Sequence, residues 1–128
     1  MYFEDLKKDL MQEIKNNNSS IEYLEIFENK KEKIYEVVNK NFVYQYIFIP
    51  SYFKIWVIHG EKNEYLVLPN TFCSCQEFYF NVLLKKEVPC CYHILSQLIS
   101  SKRKTFEVFW KKDDLLQYYL RDLLKFLS

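Results

Sequence analysis

Three cysteines and a histidine fall within 21 positions of this chain, as Cys73-Ser74-Cys75 and, fifteen residues later, Cys91-Tyr92-His93. In extended backbone alternate side chains share a face, so Cys73 and Cys75 point the same way. On a continuous helix, residues two apart do not face each other. Cys91 is therefore expected just before a helix, with His93 in the first turn. Pro89 upstream suits an extended lead-in to a helix that starts late. Three thiolates and one imidazole are the donor set of a closed tetrahedral zinc site, with arms of ~2.3 Å to sulfur and ~2.0 Å to nitrogen. Two sulfurs on such an ion lie roughly 3.7 Å apart, which a bent strand end can supply. The expected ligands are Cys73, Cys75, Cys91 and His93, holding one structural Zn2+.

Other uses of the cysteines are weaker. Cysteine is often a small buried apolar residue, but four donors at metal-ligand spacing exceed that reading. Disulfides between Cys73 and Cys75, or between the adjacent Cys90 and Cys91, would be badly strained. The opening residues Met1–Asp5 are acidic and carry no signal-type apolar run, so an intracellular chain with reduced thiols is expected. Cys90, next to a ligand in sequence, is directed elsewhere and is expected to be a buried thiol near the site.

The 128 residues suffice for one domain with a core, and the zinc-binding segment spans about residues 63–104. Apolar residues make up 49% and aromatic residues 19%, which excludes a disordered tail. The net charge of +1 gives no strong field for nucleic acid. Charge is uneven, however. Residues 70–112 carry seven Lys/Arg against three Asp/Glu, so the zinc segment is the basic part. No apolar run approaches the ~18 residues of a membrane helix, and no membrane contact is expected.

Periodicity predicts an α+β fold: N-terminal helices, a small antiparallel sheet, the zinc-bound finger and C-terminal helices. Phe3, Leu6, Leu10 and Ile14 recur on one face of a helix from Tyr2 to Asn16. Ser19-x-x-Glu22 is a capping-box pattern opening a second helix to about Phe27. A third runs from Lys31 to Lys40, with a break at Glu28–Lys30. Strands follow over Phe42–Ile49, apolar on both faces and hence covered on both, then Phe53–His59 and Glu64–Leu68, the last two joined by a hairpin loop over Gly60–Asn63. Gln76–Lys86 reads as a helix with Phe80, Leu83 and Leu84 inward. Tyr92 to about Ser101 is the helix carrying His93. Phe106–Trp110 is a short apolar stretch of undetermined state. A last helix runs from Asp113 to about Leu127, with an apolar arc wider than one core-facing side needs.

The run C-S-C-Q-E-F-Y-F-N-V-L-L-K-K-E-V-P-C-C-Y-H-I-L resembles the SWIM zinc finger, whose pattern is C-x-C, a variable spacer, then C-x-H. The aromatic-rich run after C-S-C, the V-L-x-K and the C-x-H-x-L are similar to the small stand-alone SWIM subunits of Shu-type complexes. The likeness is dense over about residues 72–99 and one of layout elsewhere. It implies a nuclear subunit that pairs with a RecA-like recombinase paralogue and promotes homologous recombination. The competing expectation is a direct nucleic-acid-binding SWIM finger of a transposase- or chromatin-related protein, with Lys102, Arg103 and Lys104 as contacts. The weak overall charge favours the first, because phosphate neutralisation dominates nucleic-acid affinity. No enzyme and no small-molecule substrate are expected. A single Gly leaves no phosphate loop, H-E-x-x-H is absent, His59 reads as a structural strand histidine, and four protein ligands close the zinc site.

Overall fold

The computed structural model describes residues 3–16, 22–60, 63–86 and 90–127, the side chains of 122–127 excepted. Helix α1 (Phe3–Asn16) buries Leu6 and Leu10, on the face its spacing predicts. Helix α2 (Tyr23–Asn39) joins the two helices expected around residues 22–40. The expected break survives as a kink, because Lys30 is non-helical at φ −124°, ψ 16°. Packing of Phe27 on one side of the kink and Ile34 and Val38 on the other keeps both halves in one core. Ser19 of the capping box lies outside the described residues, and Glu22 makes no side-chain cap bond.

Five strands follow: β1 (Val43–Ile49), β2 (Lys54–His59), β3 (Glu64–Leu68), β4 (Phe72–Cys73) and β5 (Phe106–Lys112). They form one sheet in the order β4-β3-β2-β1-β5. The first four pair antiparallel, as expected, but β5 pairs parallel to β1, from Val43 opposite Phe106 to Ile49 opposite Lys112. The sheet is therefore mixed rather than purely antiparallel. The apolar stretch of undetermined state became a strand because β1 is apolar on both faces and offers an open edge. Across the loop Gly60–Asn63, the Gly60 N–H donates to the Asn63 carbonyl at 2.8 Å; residues 61 and 62 lie outside the described set.

Register and alternation sort the strand side chains into two faces. Val43, Ile58, Tyr65, Val67 and Cys73 share one. Against it lies α3 (Tyr92–Arg103), with α1 and α2 packed around that helix. Tyr46, Phe48, Val57 and Leu66 share the other. There Tyr119 of α4 (Leu116–Leu127) meets the rings of Tyr46 and Phe48, at 5.0 and 6.0 Å between centroids. A short 3-10 turn (Asp113–Leu115) precedes α4. It is anchored by Ser51, whose Oγ donates to the Asp113 carboxylate at 2.8 Å. The buried apolar residues of helices and sheet, with Cys73, Cys75, Cys90 and Cys91 among them, form one core cluster. Among the described residues no helix is long and apolar enough to cross a membrane.

Residues Phe78–Leu84 form a π-helix, with the Lys85 N–H reaching back five residues to the Phe80 carbonyl at 3.0 Å. This corrects the expected inward set. Phe78 is buried and Val82 and Leu83 pack partly against the core, whereas Phe80 and Leu84 are exposed. The wider turn changes the phase of the side chains, so an apolar pattern read at the α-helical period points to the wrong face.

The first helix is pinned to the third by Arg103, whose Nη1 donates to Asp9 Oδ2 at 2.6 Å in a partly buried pair. Asp9→Ala should lower the stability of the zinc-loaded protein by about 1–2 kcal/mol in urea denaturation, since it removes a charge-assisted bond and strands a half-buried guanidinium. Lys7→Ala, which breaks the exposed pair with Glu28, should change the midpoint far less. Equal effects would mean that the Asp9 pair is no anchor.

Candidate metal centre

Two short structural joints bring the four predicted ligands together. Cys73 ends β4, held opposite Val67 on the helix-covered face. The next residue secures that edge doubly: the Ser74 N–H donates to the Leu66 carbonyl at 3.0 Å, and the Leu66 N–H donates to Ser74 Oγ at 2.9 Å. Cys75 follows, where the chain turns into the π-helix. The second joint is the start of α3. Cys91 occupies the N-cap position in extended conformation, φ −96° and ψ 169°, and His93 lies in the first turn, as the C-x-H spacing requires.

The three Sγ atoms and a ring nitrogen of His93 all lie within 4.8 Å of one another, and all four residues are buried. Tetrahedral zinc needs its donors roughly 3.3–3.8 Å apart, so closing on an ion takes movements of about 1 Å or less. His93 supplies a second sign of fit. Its Nδ1 is buried and finds no hydrogen-bond partner among the described residues, whereas buried polar atoms are nearly always paired. The ring is held between Tyr65 and Tyr92, at centroid distances of 4.7 and 4.2 Å. Cys73, Cys75, Cys91 and His93 form one structural zinc site.

Protonation of the metal-free cluster is uneven. Hydrogen bonds from the thiols of Cys73 and Cys91, aided by His93, hold the Cys75 thiol far below its usual range. Burial, and the hydrogen bond with Cys75, push Cys73 up. At Cys91 a hydrogen bond with Cys73 pulls down, but Cys75 and burial outweigh it. Zinc needs all three as thiolates, so its binding expels the protons that the metal-free cluster holds. Backbone groups are aimed to support this charge. The Phe78 N–H donates to Cys75 Sγ at 3.3 Å, the Ile94 N–H serves Cys91 in the same way, and Cys91 sits at the positive end of α3.

Cys90 takes no part in the cluster. It is buried beside the Tyr23 hydroxyl of α2, and burial pushes its thiol up to about 12. The directional argument that separated it from Cys91 therefore holds. Lys102, Arg103 and Lys104 lie at the far end of α3, about 15 Å from His93 at ~1.5 Å per residue. Arg103 is engaged by Asp9, while Lys102 and Lys104 are exposed. His59, exposed at the end of β2, lies beside the rings of Phe42 and Tyr44. The supporting groups Tyr65, Phe78 and Ile94 were not anticipated. A signal for two of them existed: each N–H that meets a thiolate belongs to the residue three after its cysteine.

Purified protein should contain one zinc per chain. Cys91→Ser should lose it and Cys90→Ser should keep it, with metal content as the measurement; the reverse pattern would overturn the ligand set. Because binding expels protons, the apparent affinity should fall as pH falls. A chelator competition titrated from neutral to acid pH should release zinc progressively more easily, and a flat profile would contradict the protonation scheme.

Comparison with known proteins points the same way. The chain is 31% identical over 102 residues to a zinc finger SWIM domain-containing protein 7 homolog of Dictyostelium discoideum. The aligned region covers 75% of this chain and 65% of that protein's length. No family model matches the chain, and no solved structure matches it significantly. The similarity to a SWIM protein and the buried Cys3His donor set together support a zinc-binding domain.

Proposed function

We propose that this chain is a non-enzymatic, zinc-ordered interaction subunit of a Shu-type complex. In this reading it pairs with a RecA-like recombinase paralogue and promotes recombinational DNA repair in the nucleus. The observation that carries the interaction role is where the four zinc ligands sit. Its four protein ligands are buried and close the coordination sphere, so the ion supplies folding free energy and offers no open position for Lewis-acid chemistry. Directly after Cys75 the π-helix displays Tyr79, Phe80 and Leu84 to solvent, 46, 48 and 59% exposed. Tyr79 and Phe80 pack edge to face. An apolar surface built onto a metal-fixed joint suits protein contact, for which exposed apolar patches are the usual mark. The likeness to SWIM subunits of Shu-type complexes supplies the partner class.

Partner binding should then depend on zinc although the ion touches no partner atom. His93→Ala and Cys75→Ser should each lose zinc, helical dichroism and capture of the recombinase paralogue together. A variant that loses zinc yet stays folded and binds normally would detach the site from assembly. Phe80→Ser is expected to keep zinc and fold while weakening capture, which separates surface from scaffold.

Direct nucleic-acid binding is expected to be secondary. Of the Lys102–Lys104 triplet, Arg103 already neutralises Asp9, which leaves two exposed cations at that helix end. Binding of single-stranded DNA by the isolated protein should be weak and steeply salt-dependent, and neutralising the triplet should flatten the slope. Nanomolar binding at physiological salt would favour a nucleic-acid reader instead.

A further inference from the structure

The edge strand β5 is unlike the rest of the sheet. Its pairing with β1 runs unbroken through seven positions, and β1 is its sole strand neighbour among the described residues. On its open side every second residue therefore turns its N–H and C=O outward. Its central side chains are apolar and only partly covered, Phe109 by the rings of Tyr44 and Tyr46 and Trp110 by that of Tyr52: Val108, Phe109 and Trp110 are 44, 40 and 58% exposed. The strand has no Pro and no bulge to blunt its edge, and its charges, Glu107, Lys111 and Lys112, lie towards its ends. Such an edge is a template for another strand.

The sequence of β5 specifies which strand. Two copies related by a twofold axis normal to the sheet would pair β5 with β5 antiparallel, like face with like face. Centred on Phe109, this register sets Glu107 of each copy opposite Lys111 of the other, Val108 opposite Trp110, and Phe109 opposite itself. These inner pairs are of favourable types, namely opposite charge, β-branched with aromatic, and aromatic with aromatic; only at the strand ends does Phe106 meet Lys112. Moving the centre to Val108 sets Glu107 against Phe109. Moving it to Trp110 sets Glu107 against Asp113. Glu107 and Lys111 already lie on one face of β5, with the Lys111 ammonium 4.9 Å from the Tyr46 ring centroid.

We propose that β5 is the docking strand for a second copy of this chain, joining two five-stranded sheets antiparallel about Phe109 into one continuous sheet.

The test is the mass of the zinc-loaded full chain by sedimentation, in a concentration series up to the solubility limit. The mass should double with concentration. Glu107→Lys and Lys111→Glu should each remain monomeric, because each sets like charges opposite one another twice. An equimolar mixture of the two variants should recover the doubled mass, since lysines of one copy then face glutamates of the other; the double variant, carrying both changes, should also dimerise. Zinc content and dichroism matching the parent chain identify the variants as folded. A parent chain that stays monomeric throughout the series overturns the proposal. A dimer indifferent to both substitutions, or a mixture that stays monomeric, overturns this register. If the parent chain is monomeric and only an unlike partner protein binds the β5 edge, the occupant is not a second copy and the proposal fails.

Discussion

Everything in this chain hangs on a tie between a strand end and a helix start. β4 is only two residues long, pairing at Val67–Cys73 and Leu68–Phe72. Two pairs and the Ser74 bonds to Leu66 give little to hold an edge strand in place. The zinc joins that edge, through Cys73 and Cys75, to the first turn of α3, through Cys91 and His93. Because α3 is the helix that lies on the sheet and gathers α1 and α2 around it, fixing its first turn fixes the helical layer. Structural zinc ligation supplies on the order of 10 kcal/mol apparent, comparable to the whole net stability of a small domain.

The surroundings of the metal are made for negative charge. The donor set carries more charge than the ion neutralises, since three thiolates face one Zn2+. The excess is spread over the Phe78 and Ile94 N–H groups and the N-terminal end of α3. Each of these donors lies in a helical turn that opens just after a ligand, so the same backbone that ends the extended segment also stabilises its sulfur. His93, the neutral ligand, is steadied instead by the rings of Tyr65 and Tyr92. Burial of the whole cluster keeps water from competing for the metal, and it makes any unligated state costly.

Much of this was legible beforehand because it depends on short-range geometry. The alternation of an extended chain and the opposed faces of i, i+2 on a helix are local facts. They assigned Cys73, Cys75, Cys91 and His93 and set Cys90 aside. The capping geometry of Cys91 followed from the same reasoning. What escaped depends on distant partners or on unusual backbone. Parallel pairing of β5 with β1 joins residues some sixty positions apart, and no periodicity within Phe106–Trp110 reports which edge is open. Phe80 and Leu84 were turned inward by assuming the α-helical period, where the backbone adopts the π form. The break near Lys30 was read correctly, yet packing across it kept one helix rather than two.

The π-helix has a consequence for how this segment tolerates change in length. Its wider turn holds more residues per unit rise than an α-helix, so the segment Phe78–Leu84 carries slack between Cys75 and Cys91. Both ends of the spacer are pinned by the same ion, and the cost of lengthening a closed loop grows only slowly with its size. A residue gained or lost between them need not shift a ligand; it can be absorbed by winding or unwinding this turn. The price is borne by the outward face, because each such change rotates a different set of side chains into view. Metal binding should therefore tolerate a change of one residue in this turn better than the outward face does.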